Sequence, residues 1–185
     1  SSPQVHHGDG TEEIVRKLAA SHPPNALFFA SIHLYDQGDA VFTPFYPASG
    51  AADLMEANVI NVPVAPLWRK SGALPKGGRA PGALPGPSGS SGSSSPKCAC
   101  WGCVRQEWRS AFTQRILPAL RAFSPELLLL SSGFDGACGD IGNSKLDDKQ
   151  KYHQGLDLSS VDFEWATEQL LGIAAVCCPG KVVSV

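Results

Sequence analysis

The segment Val5-His6-His7-Gly8-Asp9-Gly10-Thr11 constrains the fold more than any other part of the chain. Its glycines let the backbone turn sharply after the two histidines. Thr11-Glu12-Glu13-Ile14 then reads as a helix start, with Thr11 as N-cap and glutamates in the first turn. The chain therefore leaves a strand, presents two imidazoles at the strand's C-terminal end, and turns into a helix. In an open parallel α/β sheet, ligands bind at that end. Neutral imidazoles are metal ligands or proton carriers, so the strand tip is a candidate site as well as a fold marker.

Strand-like and helix-like segments continue to alternate after it. The pattern predicts a helix over 12–20, ended by Ser21-His22-Pro23-Pro24-Asn25 because proline cannot continue it. A buried strand follows over 26–33, and a second over 59–64 lies at an edge or strand end, since Pro63 has no ladder donor. Trp108, Phe112, Ile116 and Leu120 at helical spacing predict a helix over 106–123. The run Leu127 to Ser132 is continuously apolar, as in strands buried on both faces. A long helix over 161–176 is capped by Ser159 or Ser160 and stopped by Pro179-Gly180. The chain stops within a last apolar strand over 181–185. This alternation predicts an α/β fold with a mainly parallel sheet flanked by helices, incomplete at both ends.

With 185 residues, 43% of them hydrophobic, the chain makes one domain or most of one. A net charge of −2 gives no global drive toward nucleic acid or a membrane surface. No apolar stretch approaches the roughly 20 residues of a membrane helix, and no secretory signal pattern opens the sequence. Residues 71–104 form an insertion rich in Gly, Ser and Pro, read as disordered because it buries too little apolar surface to offset its ordering entropy. Arg69, Lys70, Lys76 and Arg79 read as solvated linker charges at its start. Cys98-Ala99-Cys100-Trp101-Gly102-Cys103 resembles a metal knuckle but lacks a partner cluster, which favours incidental loop thiols. Six cysteines in a chain this rich in core point to a reducing compartment rather than a disulfide framework.

Ser132-Gly133-Phe134-Asp135 repeats the arrangement of the first segment: a strand end, a glycine and a polar ligand. If the two strands are neighbours, His6 and Asp135 meet at one point on the sheet rim, and an imidazole with a carboxylate suits catalytic Zn²⁺. The third piece, Ser31-Ile32-His33-Leu34-Tyr35-Asp36, leads into the aromatic, proline-rich loop Phe42 to Gly50. That loop reads either as the wall of a narrow apolar channel or as a surface cluster over the core. His22, His33 and His153 have ordinary readings as loop, strand-end and surface residues, and Asp140 closes the turn beyond Asp135.

These three motifs, in this order and approximate spacing, resemble the zinc-dependent histone deacetylase family, and Tyr35-Asp36-Gln37-Gly38 looks like its class II branch. The resemblance implies an arginase–deacetylase fold and hydrolysis of acetyl-lysine in histones or other proteins, in the nucleus or cytoplasm, with no direct role for nucleic acid or membrane. By position it makes His6 and Asp135 zinc ligands and Asp9 the carboxylate that orients a catalytic histidine. Ser31 and Ile32 match a potassium site beside the zinc, and Tyr46 matches the aromatic wall of the acyl-lysine tunnel. The family pattern is Asp-x-Asp-x-His-His-Gly, whereas Ser2, Pro3 and Gln4 precede Val5 here. Gln4 thus stands where the third zinc ligand, an aspartate, belongs. The family's tandem catalytic histidines and its catalytic tyrosine fall outside these 185 residues. The expectation is a partial deacetylase domain over 1–185 that is inactive by itself. The alternatives are a catalytically dead homologue with a binding or scaffolding role, or an amidohydrolase of small acetylated amines.

Overall fold

The computed structural model describes residues 5–70 and 101–185. Helix α1 (Asp9–Ala19) is capped by Gly8, not Thr11. The turn is already complete there, and the Glu12 N–H donates to the Gly8 carbonyl at 2.9 Å. Strand β1 (Phe29–Leu34) pairs in parallel with β2 (Val59–Val64), Phe29 opposite Val59 and Leu34 opposite Val64. Every residue of β1 is buried, Ser31 and His33 included. Among the described residues β1 is the one strand paired with β2, apart from a bridge of Val59 to Leu54, and Pro63 is its one exposed position, which agrees with an edge strand.

A short helix α2 (Leu67–Lys70) follows β2. The next helical stretch runs unbroken through α3 (Trp101–Ala111), a π turn (Phe112–Ile116) and α4 (Leu117–Phe123). It begins five residues before the predicted Gln106 and so takes in residues 101–104. Pro118, just inside α4, lacks the N–H that an α-helix would use one turn back, and the wider π turn precedes it. Trp108, Phe112, Ile116 and Leu120 are all buried on one face, as their spacing requires.

Strand β3 (Leu128–Leu130) pairs in parallel with β6 (Val182–Ser184). The expectation of burial on both faces is corrected here: Leu128 and Leu130 are in the core, but Leu129 is 55% exposed. Four consecutive leucines do not reveal that only one face of the strand is covered. Between β3 and that helix lies an unanticipated antiparallel hairpin, β4 (Ser144–Leu146) and β5 (Tyr152–Gln154). Its turn is closed by Asp147, which accepts the Lys149 and Lys151 N–H groups and His153 Nε2.

Helix α5 (Ser160–Cys177) takes Ser159 as N-cap. The Ser159 N–H and Oγ both donate to Asp162 Oδ2, at 2.8 and 2.7 Å. Ser159→Ala is expected to lower stability by about 1 kcal/mol, measured by urea unfolding. The α/β expectation with parallel pairing thus holds, although the described residues form three two-stranded sheets. One residue links the two parallel pairs. The Val5 carbonyl accepts the Leu34 N–H at the end of β1, and the Val5 N–H donates to Asp135 just beyond β3, both at 2.9 Å. The two strand ends are thereby brought to one place.

Candidate metal centre

His6 follows Val5 directly, and Asp135 lies five residues after β3 ends. Asp135 Oδ1 accepts the Val5 N–H, and Oδ2 lies 2.9 Å from His6 Nδ1. Both side chains stay partly open to solvent. Burial alone would raise the Asp135 carboxyl, but the His6 ring and the Val5 N–H outweigh it and hold it below its ordinary value. The carboxylate form therefore faces the imidazole.

Under this pair lies a buried polar layer that sequence reasoning missed. His7 Nδ1 contacts Ser49 Oγ at 2.8 Å, and Nε2 lies 3.0 Å from both Asn61 Oδ1 and Glu12 Oε2. Asn61 Nδ2 donates to the same Glu12 oxygen at 2.8 Å and to the Ala52 carbonyl at 3.1 Å. The second histidine is therefore tied to α1, β2 and the loop after Tyr46. Its ring centroid is 4.5 Å from that of His33, whose Nδ1 meets Ser31 Oγ at 3.0 Å and whose Nε2 donates to the Gly50 carbonyl at 3.2 Å. A signal was present: Asn61 interrupts the apolar strand Val-Ile-Asn-Val-Pro-Val, and a buried amide needs partners.

The aromatic loop is divided. Phe42 and Phe45 are buried, while Tyr46 is 73% exposed. Phe45 stacks on His6, with centroids 5.1 Å apart and planes 11° apart, and Tyr46 is tilted against the same imidazole at 6.2 Å. Asp36 anchors the loop. It accepts Trp68 Nε1 at 2.6 Å, Arg69 Nε and Nη2 at 2.8 and 2.7 Å, and the Gly38 N–H at 2.9 Å. Arg69 also pairs with Asp39. The reading of Arg69 as a solvated linker charge is therefore corrected. Its partners lie some thirty residues earlier in the chain, so no local pattern announces them.

The other predicted positions fall as follows. Asp9 is the exposed first residue of α1, and its carboxylate accepts the Gly10 N–H. Ser31 and Ile32 are fully buried in β1. Asp140 accepts the Gly142 N–H and closes the turn beyond Asp135. Gln4, the cysteines at 98 and 100, and most of the insertion lie outside the described residues. A tetrahedral zinc with bonds of about 2.0–2.2 Å holds its donors roughly 3.3–3.5 Å apart, so a small separation of His6 Nδ1 and Asp135 Oδ2 would admit one. The donor set stops at two, however: the described residues contain no group of three His, Cys, Asp or Glu side chains able to hold a metal. They also contain no helix long and apolar enough to cross a membrane.

Comparison with known proteins bears on the same residues. A sequence profile of the histone deacetylase domain matches residues 4–185. Histone deacetylase 15 of Arabidopsis thaliana is 28% identical over 141 residues, covering 74% of this chain and 17% of the relative. Human histone deacetylase 7 is 30% identical over 176 residues, covering 92% of this chain and 13% of the relative. The chain thus spans less than a fifth of these relatives. The crystal structure of the HDA15 HD domain superposes with a TM-score of 0.57 at 22% identity, over 99% of this chain and 36% of that one. That likeness supports an arginase–deacetylase α/β fold. By the match over nearly its whole length, this chain belongs to the histone deacetylase family.

Proposed function

We propose that this chain contributes half of the zinc centre of a protein lysine deacetylase. His6 and Asp135 would be the donors, Gln4 would stand at the third position, and acetylated histones or other acetylated proteins would be the substrates in the nucleus or cytoplasm. The observation that carries the reading is the meeting of His6 Nδ1 and Asp135 Oδ2 across 129 residues of sequence, with the Val5 N–H holding the other carboxylate oxygen. His6 and Asp135 would hold zinc as a Lewis acid for the amide carbonyl and for activating a water. Asp135 would offer the metal an ionised oxygen, Oδ2, while the Val5 N–H bonds Oδ1 and so orients the carboxylate. Phe45 and Tyr46 give the imidazole an apolar side suited to an acylated, uncharged lysine. Ser31 and Ile32, buried in β1, are the proposed potassium positions, and Asp9 is the proposed partner of a catalytic histidine.

Zinc titration of the 185-residue chain tests this. One equivalent is expected to bind, with affinity falling roughly a hundredfold or more in His6→Ala and Asp135→Ala, beyond the usual loss from removing an outer hydrogen-bond partner. Binding that is unchanged in Asp135→Ala would falsify the assignment. The chain alone is expected to show no turnover of an acetyl-lysine peptide, because the family's base and oxyanion donor are not among its residues. Turnover that disappears in Asp135→Ala would overturn that expectation.

A further inference from the structure

We propose that Asp36, gripped by Trp68 and Arg69, is a positioning residue for His6 and acts through the ring of Phe45. The chemical meaning of this rests on His6 being a metal donor, as proposed above, but the geometry stands without the metal. His6 is the first residue past the Val5 link, and its side chain is about one-third exposed. One face of its imidazole lies parallel on Phe45. Phe45 in turn sits in a segment outside any helix or strand, and loops hold functional groups less accurately than regular elements do.

Asp36 compensates for this. Its carbonyl accepts the Phe45 N–H at 2.9 Å, so the residue that carries the ring is bonded directly to it. Its carboxylate, nearly buried, takes four donors. The Gly38 N–H fixes the turn into the loop. The Arg69 fork closes on both oxygens, a planar two-point grip that a lysine ammonium does not reproduce. Trp68 contributes both its indole N–H to Asp36 and its ring against Phe45, with centroids 5.8 Å apart. The Lys145 ammonium lies over Phe45 at 5.7 Å and donates to the neighbouring Pro44 carbonyl. Helix α2, at the end of β2, therefore holds both the start of the loop and its aromatic ring, and that ring is the wall against which His6 rests.

The test uses the metal-free 185-residue chain and NMR of the His6 ring protons, assigned with His6→Gln. Phe45 is expected to displace those protons upfield, and Phe45→Leu sets the scale by removing the displacement. Arg69→Ala is expected to lose most of that displacement while the methyl resonances of Ile32 and Val62 stay in place. Asp36→Asn is expected to behave similarly, and Arg69→Lys to recover the wild-type positions only in part. A purely structural clamp would lower the melting temperature without moving the His6 protons apart from the rest. His6 resonances unchanged in Arg69→Ala overturn the proposal. Zinc titration then separates the two ideas: affinity is expected to fall roughly tenfold in Arg69→Ala. If the wild-type chain binds no zinc, the metal reading fails, while the proton shifts still decide the positioning role.

Discussion

Gly50→Ala should destabilise the protein by about 3 kcal/mol. Gly50 has φ +76°, and a Cβ there would lie 2.7 Å from His33 Cε1 and Nε2 and 2.8 Å from His7 Cδ2. Two costs combine. An alanine in the left-handed region costs about 1–2 kcal/mol, and forcing a methyl into a packed site costs about 1–3 kcal/mol. The second cost is hard to relieve, because neither histidine is free to turn away. His33 is held by Ser31 on one side and by the Gly50 carbonyl on the other. His7 is held by Ser49, Asn61 and Glu12. Gly139 is the internal control, with φ +86° and nothing within 4 Å of the position a methyl would take. Gly139→Ala should cost only the backbone share, about 1 kcal/mol. Urea unfolding of both variants reads the difference. Equal losses would show that the histidine pair yields to the methyl and is not the rigid layer described above.

How far the sequence discloses this molecule depends on the range over which its cues act. Helix α5 (Ser160–Cys177) was legible because its serine cap and the Pro179-Gly180 stop lie within one stretch of chain. Strands β1 and β2 were legible as short apolar runs, and Pro63 even marked the exposed position of the edge strand. Thr11 misled as a cap because the glycines that permit the turn also complete it, so the cap and the helix start lie three residues earlier. Leu127 to Ser132 misled because its four consecutive leucines look the same whether one face is covered or both. The β4–β5 hairpin gave no alternating pattern. Its turn is organised by the Asp147 carboxylate gathering three donors.

The site divides along the same line. His6 and Asp135 were found because each reads in sequence as following a strand, two residues from a glycine, and Val5 links their two segments in the structure. What supports them was not found. Glu12 looked like an ordinary first-turn charge, yet it reaches inward to His7 and Asn61. Arg69 looked like a linker cation, yet it closes on Asp36. Both are long side chains with a partner far away in sequence: Glu12 meets Asn61 49 residues on, and Arg69 meets Asp36 33 residues back. The pattern of a helix or linker records that such residues are polar, not which way they reach.

His33 makes stability depend on pH in a window of its own. In sequence it looks like an ordinary strand-end residue, but it is only 1% exposed and its pKa is lowered to about 4. Burial is the main cause and the neighbouring His7 adds to it, while the backbone groups of Gly50 and Ser49 oppose it. Above its ordinary value of 6.5 the ring is neutral in native and unfolded chains alike, and pH has no effect through it. Between 6.5 and about 4 the unfolded chain binds a proton that the native protein refuses, so stability falls as pH falls. Below about 4 both forms carry the proton and the loss stops growing. The gap corresponds to about 3 kcal/mol lost across the window. Asp36, Asp135 and Asp162 are held below their ordinary carboxylate values, so their contributions are lost only as the pH drops further. Burial pushes the Asp157 carboxyl up, so it acts in the opposite sense as the pH falls, and urea unfolding between pH 7 and pH 4.5 reads the histidine as the difference in slope between wild type and His33→Gln. In His33→Gln most of this slope should vanish, although the variant starts from a lower stability. A slope that survives unchanged in His33→Gln assigns the proton to another group and removes His33 from the account of acid sensitivity.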